Sequence, residues 1–426
     1  RGGTASGAQM VTTLRRPYDP IDLSSFAFWR STARERDVAF AELRRERPVS
    51  WHRPVEDGAG NRYSEGGFWA VVRHADVEAG LRDPATFRSA PSIFYEDVPD
   101  AAKTAMSFIN MDAPRHTQLR RLVSLAFTPK SIHGLEVPLR AEAARIVDRL
   151  LTDGPGDFVQ QVSAPLPSFA ISEMLGIAEE RRGWFAEVSE DFANWNDPAK
   201  LAKYGVGSGG EVMLATVALL SEAMHDLARE RRRHPGDDLM SRLVAADVDG
   251  ERLSDGEIAN FASLLIVAGN DTTRQTLSHG LAALSEFPEQ KKLLLDHFAA
   301  HADTMTDEML RWATIGMGVR RTAADDTSIA GVPIRAGEKV VFFLISANRD
   351  ETVFPGPWRF DITRDPNPHL AMGAGPHYCL GVQVARLELR VLWEELLRRV
   401  PQIEAESVEY AIGNHMHAVR SLPCRF

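Results

Sequence analysis

The chain has 426 residues, of which 44% are hydrophobic and 25% charged, and a formal net charge of −10. This is an ordinary globular balance, and the acidic excess speaks against a nucleic-acid binder, which normally carries a basic surplus. Length alone allows two or three average domains. The two cysteines, Cys379 and Cys424, are too few for a disulfide framework and point to a reducing, cytoplasmic compartment. One bridge between them stays open.

In chain order, residues 1–16 are expected to be a disordered tail or an expression scar, since Arg1 to Gln9 are rich in Gly, Ala and Ser. No secretory signal is visible there. Residues 17–426 are expected to form one domain, mostly helical with short strands near both ends, because no repeat, low-complexity block or linker divides them. Strands are predicted over Val49–His52, Phe68–Val72 and Val340–Leu344, and a helix over Ser131–Asp153, from the period of the apolar residues. Gly205, Gly207 and Gly210 have the spacing of a dinucleotide fingerprint, but no buried strand precedes them. They read as a loop between two helices. No apolar run reaches the roughly 18 residues of a membrane span.

A long helix is predicted from Ser254 to Glu286. Ser254 and Glu257 have the spacing of a capping box, and Ile258, Phe261, Leu264 and Leu265 form an apolar face. Its middle reads Ala268-Gly269-Asn270-Asp271-Thr272-Thr273. These are poor helix-interior residues, glycine alone costing about 0.8–1 kcal/mol relative to alanine. The conflict marks either a functional site or a turn between two shorter helices.

Near the C-terminus, Gly373, Gly375 and Pro376 precede Cys379, and Gly381 follows it. An amphipathic helix comes next, with Val384, Leu387, Val391, Leu392 and Leu396 on or near one face. A glycine-bent loop thus delivers a cysteine to a helix start. The unpaired N–H groups there favour a thiolate, and glycines let a flat ligand approach the backbone. A buried structural cysteine and a reactive nucleophile are the other readings.

The segment resembles the haem-binding loop of the cytochromes P450, with Gly375, His377, Cys379 and Gly381 at the matching positions. It departs at Met372, where the family has phenylalanine. The resemblance implies a mainly α fold with a small β-sheet region, and haem b between the long central helix and the cysteine-loop helix, ligated through its iron by Cys379. It further implies that Asp271 and Thr272 are the acid and alcohol of oxygen activation. His116, Arg120, Arg321 and His377 are then the propionate contacts, with Gly381 also against the haem. Glu308 and Arg311 match the family's buried Glu-x-x-Arg pair, with Arg359 the better third partner and Arg364 the alternative. Ile315-Gly316 stands where the family usually has Pro-Val. The match runs from about Pro20 to the C-terminus.

The implied activity is insertion of one oxygen atom from O₂ into a C–H bond of a hydrophobic small molecule. A lipid, sterol or fatty acyl chain is favoured over a polyketide, macrolide or terpenoid. A catalytically silent haem scaffold is the reading from another class. Electrons are expected from NAD(P)H through an external ferredoxin and ferredoxin reductase, docking on Arg115, Arg121, Lys130, Arg386 and Arg390 or leaving these as a plain solvated face. Phe94, Tyr95, Phe108, Ile109, Phe185, Phe192 and Trp195 are candidates for the apolar substrate pocket.

Overall fold

The capping box at Ser254 forms in full. The Ser254 hydroxyl accepts the Glu257 N–H at 3.2 Å, and the Glu257 carboxylate accepts the Ser254 N–H at 3.0 Å. From there the helix runs unbroken over Asp255–Glu286 in the computed structural model, which describes residues 16–56, 59, 66–124, 127–248 and 250–426. The alternative of a turn at its middle is therefore closed. Poor propensity there is overridden by packing, because Asn270 and Asp271 are buried and bonded to neighbouring side chains.

Two apolar cores divide this helix between them. Ile258 to Ile266 pack with Phe94, Phe185, Phe192, Val212 and Leu220 on one side. Leu277 to Leu284 pack with Leu139, Ile146, Met309, Leu392 and Trp393 on the other. The first core is closed by helices Glu179–Ala193 and Gly209–Arg233, the second by Pro129–Asp153, Pro288–Ala313 and Val382–Arg399. The polar stretch Ala268–Thr276 lies where one core ends and the other begins.

A five-stranded sheet forms a third region. Its order is Val49–His52, Phe68–Val71, Lys339–Phe342, Val319–Ala323 and Phe87–Arg88. Only the pairing of Phe68–Val71 with Lys339–Phe342 is parallel. The strand expected to reach Leu344 ends at Phe342, and Leu344 instead opens the short helix Leu344–Ala347. The helix expected from Ser131 starts at Pro129, with Thr128 as its N-cap.

Gly205 ends the helix Pro198–Tyr204 at φ 66°, and Ser208 caps Gly209–Arg233, so Gly205 and Gly207 lie in a turn between helices, as read, whereas Gly210 falls in the first turn of the second helix. Both cysteines are free, which closes the disulfide alternative. Arg16, the last residue of the expected tail, is anchored. Its guanidinium lies 4.3 Å from the Trp69 ring and pairs with Glu338 at 2.9 Å; the rest of that tail falls outside the described residues. No described helix is long and apolar enough to cross a membrane.

Candidate functional site

The cysteine loop is held by backbone conformations that other residues resist. Gly373 and Gly375 sit at φ 71° and 68°, and a Cβ at Gly375 would fall 2.3 Å from the Leu81 carbonyl oxygen. The Cys379 N–H donates to the Met372 carbonyl at 2.9 Å. Met372 itself packs against the core that contains Leu387 and Trp393. Gly381 caps the helix Val382–Arg399, and its N–H reaches the Cys379 sulfur.

The expected low thiol pKa is corrected here. Burial pushes the Cys379 thiol up, and the Gly381 N–H and the Arg120 charge offset this only in part. Coordination to a metal cation would remove this proton. Among the described residues no group of three or more His, Cys, Asp or Glu could hold a metal ion. A metal at Cys379 has to bring other ligands with it.

Four basic groups gather beside the loop. The His116 and His377 rings stack with centroids 4.0 Å apart, and the His377 Nε2 meets the Ser89 hydroxyl at 2.9 Å. Arg321 is buried, with one donor spent on the Arg320 carbonyl. Arg120 donates to the Tyr378 carbonyl. Burial, then the neighbouring positive charges, pushes His377 down to about 3, and burial lowers Arg321 to about 10. Asp112 is the acid acting on this cluster, and it also accepts the Ser89 and Ala90 N–H groups. The His116 Nε2 is buried without a partner. Such a surplus of donors and positive charge suits a ligand with two carboxylates. A Cβ added at Gly381 would meet no protein atom within 4 Å, so nothing in the chain's own packing requires glycine there. The residues fit a haem.

On the central helix, Ala268 is exposed and Val267, Gly269 and Thr272 are half-buried, whereas Ile266, Asn270, Asp271 and Thr273 are buried. Ala268 and Thr272 share a face one turn apart, and the Thr272 hydroxyl donates to the Ala268 carbonyl at 2.7 Å. Asp271 points elsewhere. Its Oδ1 accepts from Gln275 at 3.3 Å and lies 3.6 Å from Arg274, while its Oδ2 is buried without a partner. Burial pushes this carboxyl up, against the pull of Arg274. Arg274 also pairs with Glu190 at 2.9 Å, and Glu190 with Lys200 at 2.8 Å. Burial works against ionisation of Glu190, yet Arg274 and Lys200 hold it down at about 2. A chain of charged groups thus runs from Asp271 to the partly exposed Lys200 edge. The sequence singled out Asp271 but none of these partners, which sit on other elements.

The third partner of the Glu-x-x-Arg pair is a correction. Glu308 and Arg311 are fully buried and paired at 2.7 Å. The arginine that reaches Glu308 is Arg364, at 3.2 Å, and not Arg359, whose side chain is 68% exposed. Arg359 contributes its carbonyl, which accepts from Arg311 and Arg364.

Segment Ile315–Met317 runs beside His415–His417. Met317 N–H donates to His415 O at 3.0 Å, and His417 N–H to Ile315 O at 2.8 Å. Gly316 is bridged to Met416. Of the candidate pocket residues, Phe94, Phe108, Phe185, Phe192 and Trp195 share one core with Ile109 packed against it, whereas Tyr95 belongs to another, against Phe343. In the candidate docking patch, Arg115 pairs with Glu257, Arg386 with Asp307 at 2.6 Å and Arg390 with Glu136 at 3.9 Å.

Residues 72–296 and 302–401 match the cytochrome P450 family model. A methyl-branched lipid omega-hydroxylase of Mycobacterium tuberculosis is 39% identical over 416 residues, spanning 96% of this chain and 95% of that protein. A steroid C26-monooxygenase of Mycolicibacterium smegmatis is 37% identical over 371 residues, 85% of this chain and 84% of the relative. A Mycobacterium marinum cytochrome P450 solved in complex with pseudoionone superposes with a TM-score of 0.93 at 48% identity, covering 96% of this chain and 99% of the other.

Proposed function

This chain belongs to the cytochrome P450 family, and from that membership we propose that the lipid it hydroxylates is a methyl-branched chain, attacked at or near its terminus. The observation that carries the proposal is the 39% identity to a methyl-branched lipid omega-hydroxylase along 96% of this chain. The likeness to a steroid C26-monooxygenase supports a second lipid class, sterol side chains.

Haem, when bound, is where O₂ is reduced and cleaved, one atom entering the substrate and the other leaving as water. Cys379 would ligate its iron, with the Gly381 N–H steadying the sulfur. His116, Arg120, Arg321 and His377 would hold its propionates, which the charges of Arg120 and Arg321 and the unpartnered His116 Nε2 support. Asp271 and Thr272 are the proton-handling residues. Asp271 would take up and release a proton at its unpartnered Oδ2, while Arg274, Glu190 and Lys200 tie this carboxyl to the partly exposed edge. The Thr272 hydroxyl, on the exposed Ala268 face, passes the proton on. Electrons come from NAD(P)H through a ferredoxin and its reductase. The proposed docking face is less basic than its arginines imply, since Arg115, Arg386 and Arg390 carry acidic partners.

The holoenzyme should be titrated with a methyl-branched fatty acid, a cholesterol-type sterol and a macrolide. The expected result is a spin-state shift of the Soret band and a terminal alcohol with the branched lipid. A shift and product with the macrolide alone overturns the substrate assignment.

A further inference from the structure

Arginine is seldom fully buried without a partner acid. In this chain Arg44 has Asp37, Arg274 has Glu190, Arg311 has Glu308 and Arg320 has Asp97. Three buried arginines among the described residues form no ion pair: Arg36, Arg321 and Arg349. Arg321 belongs to the cluster that suits a ligand with two carboxylates. Arg36 and Arg349 lie elsewhere, and both line one small void with Phe40, Trp312, Trp358 and His417.

Arg36 sits on the helix Ala33–Glu46 and gives Nη1 to the Trp29 and Ser31 carbonyls at 3.0 and 2.8 Å. Arg349 gives Nη1 to the Arg311 carbonyl at 3.1 Å and Nη2 to the Trp312 carbonyl at 2.7 Å. Its guanidinium lies over the Trp312 and Trp358 rings, 4.8 and 4.7 Å from their centroids. Each arginine leaves its Nε buried with no hydrogen-bond partner. Carbonyls and rings orient these cations but carry no net charge to balance them. Asp37 is the acid lining the void, and both its oxygens are spent, Oδ1 on Arg44 at 2.9 Å and Oδ2 on the Trp358 indole N–H at 2.6 Å. Glu308, which also acts on Arg349, is spent on Arg311 and Arg364. His417 faces the void as a neutral ring, its Nδ1–H given to the Ala313 carbonyl at 2.9 Å. Burial pushes Arg36 down to about 10 and Arg349 well down, the expected strain on two cations without a counterion.

We propose that Arg36 and Arg349 hold a small monatomic anion, chloride, each donating its Nε–H to it. The void leaves about 10 Å³ for the centre of a water-sized sphere, room for one small species and too little for a phosphate or a carboxylate. A water there would satisfy the two donors and leave both buried charges uncompensated, which is the costly arrangement. The ion would tie the helix Ala33–Glu46 to the end of Pro288–Ala313 and to His417, whose N–H bonds the Ile315 carbonyl. Its role is to stabilise that junction, apart from the haem chemistry.

The first test is a bromide soak of holoenzyme crystals grown without chloride, read by anomalous diffraction. A bromide peak between Arg36 and Arg349 is expected. Ordered water there, with no anomalous signal, overturns the proposal. The second test compares thermal midpoints of the holoenzyme in potassium chloride and potassium gluconate at equal ionic strength. The wild type should gain a few degrees in chloride, and the gain should follow single-site linkage to the chloride concentration. Arg36→Gln should lose that gain and keep its Soret spectrum. A wild type indifferent to chloride, or the same gain in Arg36→Gln, overturns the proposal. Should Arg36→Gln not fold, the bromide map of the wild type decides alone.

Discussion

Glu308 and Asp271 are both buried carboxylates on long helices, and the fold treats them in opposite ways. Glu308 spends both oxygens, accepting from Arg311, Arg364, Asn367 and the Asp361 N–H. Asp271 accepts one long bond from Gln275 and leaves Oδ2 bare. A fully satisfied ion network fixes structure, because every donor that moved would strand a charge. A half-satisfied one keeps an oxygen that can take and give a proton. The two sites differ in the completeness of their partners and hardly at all in burial.

Removing the charge of Glu308 is the hardest blow. Glu308→Gln leaves Arg311 and Arg364 without their acid, and breaking a buried pair costs about 3–5 kcal/mol. Chemical denaturation should register that loss, and a variant as stable as wild type would erase the contrast. Asp271→Asn should do the reverse: product formation falls by roughly 10²-fold or more, as for loss of a positioned acid, while the thermal midpoint hardly moves. A large drop in that midpoint would place Asp271 with Glu308.

Glu388 sharpens the comparison through pH. Burial at 2% exposure raises its folded pKa to about 8, above the 4.5 of the free side chain. The folded chain therefore binds the extra proton between those values, and stability falls as pH rises through that window, by up to about 1.4 kcal/mol per pH unit. Denaturant midpoints measured from pH 5 to 8 should slope downward in the wild type and flatten in Glu388→Gln. The smallest effects separate two arginines. Arg364→Ala removes a bond to Glu308 and should destabilise by about 1–3 kcal/mol, whereas Arg359→Ala, on an exposed side chain, should stay within about 0.5 kcal/mol.

The cysteine loop was readable because glycine spacing and a following amphipathic stripe are local signals. The central helix was readable at Ser254 and Glu257 for the same reason, but its continuity through Gly269 and Asn270 was not. That depends on Ser189 accepting from Asn270 at 2.8 Å, a contact between distant segments. The choice of Arg359 over Arg364 failed because the chain turns back between them and uses the carbonyl of one and the side chain of the other. The thiol of Cys379 was expected low from its place at a helix start. Burial outweighs a single N–H and one cation, and burial is not written in a loop motif. Glu388 did leave a sequence signal, an acid in register with Val384 and Val391, and it is legible only once the stripe is known to be covered.

Gly316 and Gly318 stand two residues apart with opposite tolerances. A Cβ at Gly318 would lie 2.5 Å from the Tyr95 hydroxyl and 2.9 Å from the Phe342 carbonyl oxygen, while one at Gly316 meets nothing within 4 Å. Gly316 is also absent from the left-handed backbone positions, so any side chain can be built there without bending the chain. Facing Met416 across a single bridge, it is a place where selection, natural or in a laboratory library, can add side-chain volume without spending folding stability.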